Sequence, residues 1–88
     1  MNYLIELTAA AEKDLTRLDR NIERRGRGRL KELAVDPYSN RISKPLKMAA
    51  GERSARVGNW RVFYAINEVE KAVKVLAVRP RQEAYKKL

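Results

Sequence analysis

Hydrophobic residues in this chain keep two different periods, and the change between them limits the folds open to it. In the first half Ala11, Leu15, Leu18 and Ile22 recur at helical spacing. From Arg53 onward the period becomes two: Ala55 and Val57 alternate with Ser54 and Arg56. Trp60, Val62, Tyr64 and Ile66 then alternate with Arg61, Phe63, Ala65 and Asn67. A helix-period half followed by a strand-period half predicts helices segregated onto one face of an antiparallel sheet. At 88 residues the chain has material for one domain, residues 1–88, with one modest core.

Local signals place the elements. Tyr3, Ile5 and Leu7 alternate with Asn2, Leu4 and Glu6, which predicts a short first strand. Thr8 offers an N-cap hydroxyl to a helix running from about Ala9 to Leu18. A second helix is expected over Asn21–Ala34, weakened by Gly26 and Gly28, with Ile22, Leu30, Leu33 and Val35 on its buried side. Asp36-Pro37 ends it. The stretch from Tyr38 to Ala50 reads as a loop. Gly58-Asn59 marks a two-residue hairpin turn, and Glu68 to Lys71 a charged one. In the last strand Val73, Val75 and Ala77 alternate with Lys74, Leu76 and Val78. Pro80 suits the first position of a short C-terminal helix. The expected fold is α+β, in the order β-α-α-β-β-β, with an N-terminal helical hairpin packed on a mainly antiparallel sheet.

Charge narrows the function. Twenty Lys and Arg stand against eleven Asp and Glu, a formal net charge of +9. Such a surplus attracts polyanions and speeds their capture, so nucleic acid or an acidic protein is the expected partner. There is no cysteine and no histidine, which removes thiolate zinc sites, cysteine nucleophiles and the usual general base. No metal and no cofactor is expected. No segment joins a basic face to bulky interfacial aromatics, so no membrane partner is expected. Charged Glu6, Glu12 and Lys13 interrupt the start, unlike a signal peptide, and the expected compartment is the cytoplasm.

Three strings carry a resemblance: Lys44-Pro45-Leu46-Lys47, then Arg56-Val57-Gly58-Asn59-Trp60-Arg61-Val62-Phe63-Tyr64, then Val78-Arg79-Pro80-Arg81-Gln82-Glu83-Ala84-Tyr85. Together with the helical hairpin they resemble the RelE/ParE superfamily of type II toxins. The resemblance implies a toxin held inactive in a hetero-oligomer with a cognate acidic antitoxin. It leaves three activities open. One is RelE-like cleavage of mRNA on the ribosome, which inhibits translation. The others are ParE-like, non-enzymatic inhibition of DNA gyrase, and the role of a degenerate toxin acting as an antitoxin-binding co-repressor.

In the RelE-like case the 2′-hydroxyl of the RNA attacks the adjacent phosphate and the 5′-oxygen leaves. That needs positive charge on the phosphate, a group to take the 2′ proton and a donor to the leaving oxygen. The resemblance implies Arg61 as the phosphate grip and Arg56 on the neighbouring strand. It implies Arg79 at the phosphate or leaving group, with Arg81 a second candidate. Tyr85, six residues after Arg79, is implied in stacking or proton transfer, or else packs the tail on the core. Lys44, Lys47, Arg53, Arg81 and Trp60 are expected to touch RNA; Arg24, Arg25, Arg27 and Arg29 make backbone contacts or form a solvated helix face. Trp60, Phe63 and Tyr64 are otherwise expected to fill the core. Ser54 departs from the family, where many active relatives carry Lys or Arg. Arg53 is adjacent but alternation points it away, unless a one-residue bulge restores it. Lys44 stands where some relatives carry an acid, leaving Glu52 and Glu83 as alternatives for the base.

Overall fold

The computed structural model describes residues 2–47 and 51–80. Their elements are β1 (Leu4–Leu7), α1 (Ala9–Thr16), α2 (Arg20–Val35), β2 (Ser43–Pro45), β3 (Glu52–Val57), β4 (Trp60–Asn67) and β5 (Ala72–Pro80). The five strands form one sheet in the order β1-β5-β4-β3-β2. β1 runs parallel to β5, and the other pairings are antiparallel. This is the expected α+β architecture with one strand more. The segment read as loop contributes β2, a short edge strand, and its Pro45 suits an edge because it has no N–H to donate. Pro80 ends β5, paired with Trp60, instead of opening a helix; the rest of the expected C-terminal helix lies outside the described residues. Among the described residues no helix is long and apolar enough to cross a membrane.

Thr8 caps α1 as its hydroxyl accepts the Ala11 N–H at 3.0 Å. The helix stops at Thr16, short of Leu18, which nonetheless packs on the core. α2 runs unbroken through both glycines. Gly26 is there for packing: a Cβ on it would stand 3.3 Å from Leu15 Cδ2 of α1. Val35 is exposed rather than buried, because the helical twist turns it to the side of Arg24 and Lys31. Ala11 and Leu15 of α1 and Leu30 and Leu33 of α2 close over Ala55, Val57, Val62, Tyr64, Val73, Val75 and Val78 of the sheet. Tyr64 is fully buried, and its hydroxyl donates to the Pro37 carbonyl at 2.7 Å.

The alternation expected along the last strand fails after Val75. Tyr64 pairs with Val75, but the next residue back, Phe63, pairs with Ala77, leaving Leu76 as an extra residue. This bulge reverses the parity of everything beyond it. Val78 therefore joins Val73 and Val75 in the core, while Ala77 and Arg79 turn to the other face. Residues from the opposite end of the chain satisfy the displaced backbone. The Thr8 hydroxyl donates to the Leu76 carbonyl at 3.1 Å, and the Thr8 N–H to Val75 O at 3.1 Å. Asp14 Oδ2 accepts the Val78 N–H at 3.0 Å.

Glu68, in the β4–β5 turn, ties the other end of the sheet together. It accepts the Tyr3 hydroxyl at 2.8 Å, the Tyr38 hydroxyl, and the Lys71 ammonium at 2.6 Å. Hydrogen bonds from Lys71 first, then from the two tyrosines, hold its carboxyl down at about 2. The same carboxylate pushes Tyr38 up to about 12 and raises Tyr3.

Candidate functional site

Gly58 and Asn59 form the turn between β3 and β4, with Gly58 at a φ of 58° that suits glycine. This two-residue turn sets the register, so Arg56 lies directly opposite Arg61. Arg61 in turn lies directly opposite Arg79 on β5. Directly opposed residues project from the same face with Cβ atoms about 4.5–5.5 Å apart. Arg56, Arg61 and Arg79 therefore form one row across three strands, on the face away from the helices. Arg56 is exposed, Arg61 is 7% exposed, and the Arg79 side chain is 39% exposed.

Like charges held side by side repel, and an anion laid across the row relieves that repulsion. Asp14 offsets part of it, with Oδ1 3.4 Å from Arg79 Nη1. More cations border the turn. Arg29 Nε donates to the Arg56 carbonyl at 3.1 Å, and Arg25 Nη1 lies 3.5 Å from where a Cβ on Gly58 would stand. Among the described residues no cluster of acidic side chains could hold a metal ion.

Toward the middle of the sheet the next row on this face is Ser54, Phe63 and Ala77, with Lys44 of β2 opposite Ser54. Phe63 thus faces the arginine side instead of filling the core. Its alternation with Val62 and Tyr64 already carried that signal. Lys44 is exposed, and it brings a cation beside the position where Ser54 lacks one. Glu52 belongs to a third row with Ala65 and Lys74. Four strand residues, about 13 Å, separate it from Arg56, so it does not join the arginine row.

Two expected RNA contacts lie elsewhere. Arg53 pairs with Tyr64 and shares its core-facing side, because β3 has no bulge to turn it over. It is 9% exposed and donates to Ser43 Oγ at 3.2 Å, Tyr38 O at 3.3 Å and Asn40 Oδ1 at 3.0 Å. Its guanidinium thus anchors the loop before β2. Trp60 also faces the helices, packing partly buried against the core. Lys47 is exposed just beyond β2. On α2, Arg27 is held by Glu12 and Glu23, each at 3.0 Å, and Arg29 by Glu32 at 3.1 Å. Arg81, Glu83 and Tyr85 lie outside the described residues.

Comparison with known proteins identifies the family and the fold. A family model described as the ParE toxin of the type II toxin–antitoxin system parDE matches residues 5–85. The chain is 33% identical over 88 residues to Toxin RelE of Mycobacterium tuberculosis, covering 96% of this chain and 87% of that one. Its fold superposes on the RelBE2 toxin–antitoxin complex of Mycobacterium tuberculosis with a TM-score of 0.78 and 31% identity, covering 92% of this chain and 100% of the other. The archaeal RelE–RelB complex of Pyrococcus horikoshii gives a TM-score of 0.79 and 26% identity, covering 92% and 97%. The isolated RelE toxin of E. coli, at 17% identity, shares the fold with a TM-score of 0.78 over 97% of each chain. Matched over nearly its whole length, this helical pair on a mixed five-stranded sheet belongs to the RelE/ParE family as a RelE-like toxin of a type II toxin–antitoxin system.

Proposed function

We propose that this toxin is a metal-independent mRNA endoribonuclease that works on the ribosome and inhibits translation. The observation that carries the reading is the single cross-strand row of Arg56, Arg61 and Arg79. A planar guanidinium grips two phosphate oxygens and keeps its charge at any physiological pH. In the reaction the 2′-oxygen forms a bond to phosphorus, the bond to the 5′-oxygen breaks, and a 2′,3′-cyclic phosphate remains. Negative charge grows on the non-bridging oxygens, and preplaced cations stabilise it without reorganising. Arg61, in the middle and nine-tenths buried, holds the phosphate; Arg56 and Arg79 flank it. Arg79 reaches the phosphate or the leaving oxygen. Arg81 is a second cation for that role, and Tyr85 serves in stacking or proton transfer. Lys44 and Lys47 contact the RNA backbone.

The antitoxin-bound relatives and the charge of +9 support an acidic antitoxin as partner, in a hetero-oligomer. Association driven by charge slows as salt rises.

The test is to express the toxin and map mRNA ends in cells. Cleaved messages support the reading, and intact messages during growth arrest reject it. Arg61→Ala and Arg79→Ala each relieve toxicity while thermal unfolding stays cooperative; if neither does, the phosphate grip is wrongly assigned. Ser54, together with the ParE description of the matching family model, favours a second reading: a non-enzymatic gyrase inhibitor. Purified gyrase separates the two, since only the second reading predicts loss of supercoiling at micromolar toxin.

A further inference from the structure

The outward side of α2 forms a shallow trough of about 430 Å³ lined by Arg20, Glu23, Arg24, Arg27, Gly28 and Lys31. It sits on the helix layer, whereas the arginine row lies on the opposite face of the sheet. Arg27 is engaged by Glu12 and Glu23. Arg20, Arg24 and Lys31 make no ion pair among the described residues. These three exposed cations, unpaired among the described residues, lie along one helix side, about 16 Å from end to end.

Gly28 adds an independent observation. Glycine is the costliest residue in a helix interior after proline. Gly26 has a packing reason in Leu15, but around the Cβ position of Gly28 there is nothing within 4 Å. The fold itself therefore has no use for a glycine there. Its effect is to leave helix backbone bare between cations, where another molecule can approach closely. No apolar side chain lines the trough, and Val35, exposed one turn beyond Lys31, is a lone small side chain rather than the bulky anchor that carries protein interfaces. A phosphodiester strand needs no such anchor; it needs cations and room.

We propose that this trough is a second, sequence-independent site for an RNA backbone, occupied at the same time as the arginine row. The choice of RNA rests on the nuclease reading above, while the trough itself rests on α2 alone.

The test uses the full-length toxin and a fluorescein-labelled single-stranded RNA in anisotropy titrations, with thermal unfolding measured in parallel. Gly28→Ala should raise the melting temperature, because alanine favours the helix, and weaken RNA binding several-fold by filling the floor. A stabilised protein that binds worse cannot be explained by damage to the fold. Combined Arg20→Gln, Arg24→Gln and Lys31→Gln should reduce the slope of log K against log salt by about 2, at roughly 0.7 for each phosphate no longer neutralised. Arg61→Ala should abolish mRNA cleavage and leave these two effects in place, so failure of the nuclease reading and failure of the trough are distinguishable. Unchanged RNA affinity in Gly28→Ala and in the triple variant overturns the site. Tighter binding of duplex DNA than of RNA overturns its assignment to RNA. Loss of antitoxin binding with RNA binding intact overturns it in favour of a protein partner.

Discussion

The Asp14 carboxylate of α1 lies 3.4 Å from the Arg79 guanidinium of β5, and its other oxygen accepts the N–H of Val78, one residue away. One acidic side chain thus braces the bulged strand and holds an arginine of the candidate site. Asp14 is itself well covered, its side chain 10% exposed. Asp14→Ala leaves the buried Val78 N–H without its acceptor, and urea denaturation should show a loss of about 1–3 kcal/mol. Asp14→Asn keeps an acceptor oxygen but removes the charge, so it should cost less stability than alanine while loosening Arg79. Equal stability of all three proteins would contradict the bracing role.

Arg53 makes a contrasting prediction to Arg61. Its three hydrogen bonds fasten the loop leading into β2, on the core-facing side of the sheet. Arg53→Met should lower stability by about 1–3 kcal/mol in the same measurement, because Ser43 Oγ and Asn40 Oδ1 lose a charged donor. Its toxicity on expression, assayed below the new melting temperature, should remain. Inactivity of a folded Arg53→Met protein would return this residue to the site.

Gly26 fixes how closely α1 and α2 approach. Valine there would force its Cβ to within 3.3 Å of Leu15 Cδ2 and add two methyl groups behind it. Overpacking of this kind typically costs about 1–3 kcal/mol. The melting temperature of Gly26→Val should fall, whereas that of Gly28→Ala should rise.

Glu68 gives the fold an acid-sensitive tie. Its carboxyl is held at about 2, against an ordinary value of 4.5, by Lys71 and by the hydroxyls of Tyr38 and Tyr3. A depressed carboxylate binds fewer protons when folded than when unfolded. Its contribution is therefore fully present above pH 4.5 and is lost as pH falls through about 2. Glu68→Gln removes this contribution. The urea midpoint of the wild type should fall more steeply than that of the variant between those two values. Parallel curves would show that the tie does not matter to stability.

Much of the fold is legible in the sequence because its signals are local. Thr8 before an alanine run, the Leu15 and Leu30 stripes, and Gly58-Asn59 between alternating segments each need only nearby residues to interpret. β2 escapes such a reading because three residues at a sheet edge, one of them proline, leave too short a pattern. Phe63 reads as core by residue type, although its position relative to Arg61 says otherwise. Trp60 invites a base because it neighbours a turn, yet parity with Val62 commits it to the helix side. Arg53 illustrates a harder limit: alternation turns it away from the site, but only the folded loop shows what it holds.

By itself the sequence determined that Arg56 and Arg61 share a face. A two-residue turn leaves one register, and period two does the rest. The side taken by Arg79 was decided only in the tertiary structure. Strict alternation would bury it with Val73 and Val75; the extra residue at Leu76 sends it to Arg61 instead. That extra residue is accommodated because Thr8 and Asp14, more than sixty positions earlier, supply partners for the backbone groups around it. Period two is a property of neighbouring residues, whereas a bulge persists only where distant groups satisfy what it leaves unpaired.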